Sequence, residues 1–510
     1  MKRIYVTLLV AASTAGQAQY DAAVRLLDRI PQHALDLPAS EHPSRLFVGI
    51  PGCSGWVLHA ENGLLYPGQV LSNGATGTRI NLDALRSTWK GTNRIGLDAQ
   101  VELLSLGTRV GKLGFLTLSV KERVAVRTDV PSDLLLLPLQ GTLGGVAWGD
   151  AALRLDHYRE TAFGWQRTWG SRLRTGIRAK LLYGYEHADL QNVTGSWTTD
   201  PSTWAWTFQG GGDLRTSGAE RWTSGSMGSG EAQRYLTGLS NRGVAFDFGA
   251  GTSFGSRTLI DVGLVDVGGI RWKDENRVFS VATGEWAFAG LEIGILDPAT
   301  ASDVLADTLE VWGDALLDAV ENRFPIVETT ESFRSALPAR FTLSARHKAI
   351  ERPRSRGTAV VTFMQETGEF GPGNRALTLG WSQEWGKMLA VAGTVGLLRE
   401  GPPTAGAAVA LNLGPVQFHV ASDNLLALRT VELRVDGSTI PAPAAAAVHH
   451  VRFGLNIVVG GTYAKDKKGS PVPPSGPPAT TRRASESHLN PNPEPLRCAL
   501  PGSKSGRKRR

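Results

Sequence analysis

Over residues 172–186 the chain changes character at every step. One parity reads Leu173, Thr175, Ile177, Ala179, Leu181, Tyr183 and Tyr185, and the other holds Arg172, Arg174, Arg178, Lys180 and Glu186. Successive side chains of a strand point to opposite faces, so this run is a strand with one greasy face and one charged face. The same two-residue period returns at Val244, Phe246 and Phe248, at Leu377, Leu379 and Trp381, and at Val451, Phe453, Leu455, Ile457 and Val459. Many runs are as long as the 9 or so residues that a tilted strand needs to cross a bilayer core, where a soluble strand averages about 5 or 6. Lipid offers no water to an open sheet edge, so a spanning sheet must close on itself. The expectation is an all-β fold: a closed, antiparallel transmembrane β-barrel of about 14 strands with one or two short helices. Tyr183, Tyr185, Trp272, Trp381 and Trp385 fall near strand ends, where an aromatic girdle lies. The competing reading is a secreted soluble β-protein with its apolar face turned inward.

The remaining sequence divides around this barrel. Lys2 and Arg3 precede an apolar run and the small residues of 15–18, the order of a secretory signal, here residues 1–19. Residues 20–44, with Pro31, Pro38 and Pro43, form a poorly periodic N-terminal lead or hatch segment. The barrel occupies 45–463, and 464–510 is a disordered, basic, Pro-rich tail with nine prolines. That tail carries eleven Lys/Arg against three acids, which exceeds the net +7 of the whole chain. The body is therefore mildly acidic, and a nucleic-acid partner is not expected. Residues 285–294 read as a further strand, 302–324 as a helix with an apolar stripe through Leu305, Leu309 and Trp312, and 134–139 as a second short helical element. The Trp-, Gly- and Ser-rich stretch 192–238 reads as a long external loop with a protruding hairpin. Two cysteines, Cys53 and Cys498, are too few for a disulfide framework.

Chemistry-bearing motifs are sparse. Gly251-Thr-Ser253-Phe-Gly255 matches a nucleophile elbow, but strand pattern on both sides makes it a hairpin turn. His449 and His450 point to opposite faces of one strand, which argues against joint metal ligation. The sequence reads as non-enzymatic, with no cofactor. The charged parity is more informative. Arg172, Arg174, Arg178, Lys180 and Asp247 are candidate lumen-facing residues, with Asp98, Glu102, Glu160 and Asp261 inside or near the rims, while Leu173, Ile177, Leu181, Tyr183 and Tyr185 are candidate lipid-facing residues. Such an interior serves either salt-bridged wall packing or a solute path.

Several runs also carry a resemblance. Pro31-Gln32, Pro38-Ala39 and Gly49-Ile50-Pro51, then Tyr158-Arg-Glu160-Thr-Ala162-Phe-Gly164, Gly243-Val-Ala245-Phe-Asp247-Phe-Gly249 and Asp266-Val-Gly268-Gly-Ile270-Arg-Trp272, resemble in order a Bacteroidota family of barrel proteins catalogued as a domain of unknown function. That group is distantly similar to fatty-acid-transporter (FadL-type) barrels and to barrel subunits of type IX secretion. The resemblance implies the outer membrane of a Gram-negative bacterium, and no particular reaction. Arg452-Phe-Gly454-Leu-Asn-Ile457-Val-Val459 resembles the signal read in last strands by the barrel-insertion machinery. The expected function is a transport or secretion-associated component. The alternative is a plugged structural barrel that anchors a periplasmic or surface partner. Expected partners are outer-membrane lipid, the insertion machinery, and a periplasmic or secretion-system protein.

Overall fold

The computed structural model describes residues 21–460 apart from 43, 65–69, 75–76, 90, 171, 220–237, 239, 290–321, 368–374, 399–402, 429, 436–437 and 444–447. The signal, nearly all of the 302–324 helix and the tail lie outside the described residues. Alternation of apolar and polar residues produces fourteen wall strands among the described residues. They are β1 (Leu46–Gly49, continued as Trp56–Asn62), β2 (Thr92–Val110), β3 (Gly114–Pro131), β4 (Val146–Trp169), β5 (Leu173–Thr199), β6 (Asn241–Phe254) and β7 (Thr258–Trp272). The circuit continues through β8 (Phe333–Ala336, continued as Ala339–Arg352), β9 (Ser355–Thr367), β10 (Arg375–Trp385), β11 (Leu389–Leu398), β12 (Thr404–Leu413), β13 (Val416–Ser422) and β14 (Val448–Val459).

Each wall strand pairs antiparallel with its neighbours in this order, and β14 returns to β1 through Leu46↔Val459 and Trp56↔Phe453. Closure satisfies every edge, as a sheet in hydrocarbon requires. The outward parity is apolar: Ile177, Leu181, Phe246, Leu343, Leu379 and Phe453 are all exposed. Among the described residues no helix is long and apolar enough to cross a membrane.

The two ends of the barrel differ. At one end β2–β3, β4–β5, β6–β7, β10–β11 and β12–β13 are joined by two- or three-residue turns, where Gly255 and Gly414 take φ of 64° that a side chain would strain. The opposite end carries the long connections, including α1 (Leu82–Thr88) and α2 (Ser132–Gln140), the latter over the expected 134–139 element. Asn81 caps α1 by accepting from the Ala84 amide at 3.0 Å. Beyond the rim β5 runs on to Thr199 and pairs with Trp206–Ser217, so the first part of the 192–238 stretch is a protruding hairpin, while 220–237 lie outside the described residues. Of the strand expected at 285–294, residues 290–294 lie outside the described residues, and Glu285–Phe288 end the strand Asn276–Phe288, which joins this extension rather than the wall. The reason is topological: β7 already spans the wall up to Trp272, and its next wall neighbour is β8.

Ile177 lies within the outward apolar series Leu173–Tyr183 of β5. Ile177→Arg places a charge in hydrocarbon and is expected to destabilise the barrel by about 2–4 kcal/mol, measured by urea unfolding in lipid vesicles. A loss near zero would contradict a lipid-facing wall.

Candidate functional site: the plugged lumen

The inward parity is dominated by charge. Arg174 pairs with Asp261 at 2.8 Å, and Lys180 lies 2.9 Å from Asp247, 3.6 Å from Glu160 and 2.5 Å from Asp266. Arg123 approaches Asp266 at 3.4 Å, and Arg340 lies 3.1 Å from it. Asp266 reaches this hub because β7 bulges there: its φ is 62°, and the register against β6 shifts between Phe246 and Phe248. The neighbouring strand breaks opposite the bulge at Leu337-Pro338, where the Leu337 amide donates to the Gly268 carbonyl at 2.9 Å.

Through this charged interior runs residues 21–44, buried along almost its entire length. Two short 3₁₀ turns, Val24–Leu26 and Pro31–Ala34, shape it. The apolar residues of its first half, Ala23, Val24, Leu26, Leu27 and Ile30, pack against small inward side chains of the wall, among them Ala390, Ala392, Ala408 and Ala410. Its second half lies on a row of wall glycines, Gly176, Gly249 and Gly263, which are in direct register on β5, β6 and β7. A Cβ added at Gly176 would stand 2.0 Å from the Pro38 carbonyl oxygen, at Gly249 2.6 Å from the Ala39 nitrogen, and at Gly263 2.2 Å from the Asp36 carbonyl oxygen. Only glycine lets the two backbones approach this closely.

Polar contacts hold the segment at both ends. Asp423 accepts from the Ala22 and Ala23 amides at 3.1 and 2.8 Å, and Asp21 pairs with Arg452 at 2.5 Å. Arg29 pairs with Glu384 at 2.8 Å, Arg346 with Asp28, and Asp36 lies between Arg25 at 2.5 Å and Arg340 at 3.3 Å. Gln32 and Asn456 exchange amide hydrogen bonds of 3.1 and 3.0 Å. Arg178 donates to the Ala34 carbonyl at 3.1 Å and to that of Leu35. Near the short-turn end the His42 ring stacks on Phe115 at 4.3 Å between centroids. The cavity left between the segment and β2–β5 is about 50 Å³, room for a few waters.

Of the residues named from sequence, Arg174, Arg178, Lys180 and Asp247 meet in this interior. Arg172 does not: it is exposed at the short-turn end, one position before β5 begins. Leu173, Ile177 and Leu181 are exposed on the outer face and Tyr183 is half-buried there. Tyr185 is buried, because the register of β4 against β5 shifts beside it and Arg159 lies over its ring at 5.3 Å. The residues that sequence reasoning missed are the segment's own Asp21, Arg25, Arg29, Gln32 and Asp36. Their signal lay in the wall, in glycine and alanine at inward parity. Gly251–Gly255 ends β6 and turns directly into β7. Among the described residues no group of three or more His, Cys, Asp or Glu is arranged to hold a metal ion.

The geometry defines a closed, plugged barrel of the outer-membrane type. The chain belongs to the family described as "Family of unknown function (DUF5723)", whose model matches residues 38–423. No curated protein matches it. Among solved structures, the Pseudomonas putida toluene transporter TodX is similar at 8% identity over 88% of this chain and 98% of that one, with a TM-score of 0.35. A Pseudomonas aeruginosa FadL homologue is similar at 10% identity over 89% and 98%, with a TM-score of 0.35, and the translocator domain of the autotransporter NalP from Neisseria meningitidis at 7% over 84% and 92%, with a TM-score of 0.27. Likeness at this level adds nothing to what the strand pairing already establishes.

The seating of the segment depends on pH. Burial pushes the His33 imidazole below its usual value, and burial together with the nearby His33 and Arg178 pushes that of His42 well below it. Both docked rings resist protonation and titrate near 6.5 when released, so docking weakens as pH falls below about 6.5, by at most about 1.4 kcal/mol per pH unit per ring until the docked ring itself titrates. Burial opposes ionisation of Asp21, but Arg452 and His450 outweigh it and hold the carboxyl well below the usual range, so this anchor is lost only in strong acid. Protease cleavage within 21–44 should therefore accelerate between pH 6.5 and 5, and His42→Asn should flatten that rise. A pH-independent cleavage rate would contradict the buried neutral rings.

Proposed function

We propose that this protein is a non-enzymatic transport barrel of the outer membrane, held closed by residues 21–44, with its short turns facing the periplasm and its long connections outside. The even strand number and the asymmetry of the two ends support this orientation. One observation carries the reading: the plug is tied to the wall through ion pairs and carbonyl contacts, with ion pairs at Asp21, Asp28, Arg29 and Asp36, in a lumen whose own lining is charged. Such contacts exchange for water once the segment shifts, leaving a wet, charge-lined path. A wall built only to be filled has no need of these charges, since apolar packing of the same volume is as stable or more so. Insertion by the barrel machinery and an annulus of outer-membrane lipid belong to this reading, as does a secretion-associated role of the kind served by the Bacteroidota barrels it resembles.

The second reading is an anchor whose plug never leaves and whose loops or basic tail hold a periplasmic or surface partner. It is favoured by the completeness of the plug's burial.

Planar-bilayer recording separates the two. Asp36→Asn weakens the pairs to both Arg25 and Arg340. The unmodified protein should open rarely, and the variant, shown to be folded by faster gel migration unboiled than boiled, should open about tenfold more often. Silence from both proteins would favour the anchor.

A further inference from the structure

On three adjacent strands the outward apolar series stops at arginine. Arg242 lies above Val244, Phe246 and Phe248 on β6, Arg271 above Val267 and Leu264 on β7, and Arg334 above Ala336 and Phe341 on β8. The three are in direct cross-strand register, Arg242↔Arg271 and Arg271↔Arg334, and the row continues to Tyr183 on β5 through Arg242↔Tyr183. Like charges directly opposed across a sheet are destabilising. Arg271 and Arg334 are exposed, and among the described residues neither has a carboxylate partner; the Arg271 guanidinium has only a 3.4 Å hydrogen bond to the Ser332 hydroxyl. The charges of Arg271 and Arg334 are therefore uncompensated by any carboxylate among the described residues.

Directly beside it the outer wall is dented. Gly243, Gly268 and Gly269 carry no side chains, and with the apolar flanks Leu181, Val244 and Ala336 they line a concavity of about 740 Å³. Charge sits at its upper edge and apolar surface below, the arrangement of an amphiphile's binding site. Guanidinium groups bind phosphate in a bidentate, charge-assisted manner.

We infer that this patch binds a phosphate-bearing lipid of the surrounding leaflet, its phosphate on Arg271 and Arg334 and an acyl chain in the glycine-floored groove. This goes beyond the transport reading: it concerns the outer wall, and it holds for a transporter or an anchor alike.

The test uses the full protein in non-ionic detergent and a fluorescent diphosphorylated glucosamine glycolipid. The double variant Arg271→Gln/Arg334→Gln, whose side chains are exposed and whose folding is checked by heat-modifiable migration, should bind at least tenfold more weakly. Val244→Trp keeps the arginines but fills the groove, and should also weaken binding at least tenfold. The dephosphorylated glycolipid should bind poorly to the unmodified protein, and inorganic phosphate at equal concentration should not compete. Unchanged binding by either variant would overturn the proposal. So would equal binding of the dephosphorylated lipid, which would leave an apolar surface only, or full competition by inorganic phosphate, which would leave an anion site without lipid. Asp36→Asn should bind the glycolipid normally, so a failure of the gating account leaves this result standing.

Discussion

Charge enclosed in a tube must be paired inside that tube, and the architecture of this protein follows from that requirement. Closing fourteen strands turns every second residue inward, and here those residues include Arg123, Lys180, Asp247, Asp266, Arg340 and Arg452, all buried or half-buried. A buried charge left without a partner is costly. The wall pairs many of its charges with one another, while Arg340, Arg346, Glu384 and Arg452 take partners from residues 21–44. The N-terminal segment is thus part of the interior's electrostatic closure as well as an obstruction in the lumen. The apolar residues of its first half use the space left by wall alanines and its second half the space left by wall glycines, so shape and charge specify one seating.

A single irregularity organises both faces of the wall. The bulge at Asp266 turns that carboxylate into the lumen, where it gathers Lys180, Arg123 and Arg340, the last of which reaches on to Asp36 of the plug. The adjoining Gly268 and Gly269 lower the outer surface at the same height. Opposite the bulge β8 breaks at Leu337-Pro338, where the Leu337 amide donates to the Gly268 carbonyl, and its register on β7 is the same on both sides. The chain of ion pairs from Asp266 through Arg340 to Asp36 places the wall's most irregular point in contact with the plug.

The barrel itself was legible in the sequence because its signal is local: period-two alternation at Leu173–Tyr183 or Val451–Val459 needs no knowledge of partners. Parity ceases to predict facing where the period is interrupted. Arg172 continues the alternation but lies one position before β5 begins, and Tyr185 keeps the outward parity although a register shift beside it covers its ring. The seating of 20–44 was not legible from that segment, whose irregular backbone has no period and whose partners lie hundreds of residues away. The trace it left was indirect. Gly176, Gly249 and Gly263 occupy inward positions where charged neighbours are the rule, and each is the imprint of a backbone pressed against the wall.

The most direct test of this account is hydrogen–deuterium exchange of the 22–40 amides, in the unmodified protein and in Gly249→Val, whose added side chain would meet the Ala39 nitrogen and Pro38. A seated plug predicts that these amides are protected like those of the wall strands, and that in Gly249→Val they exchange much faster while β9–β13 keep their protection. Rapid exchange across 22–40 in the unmodified protein would contradict it.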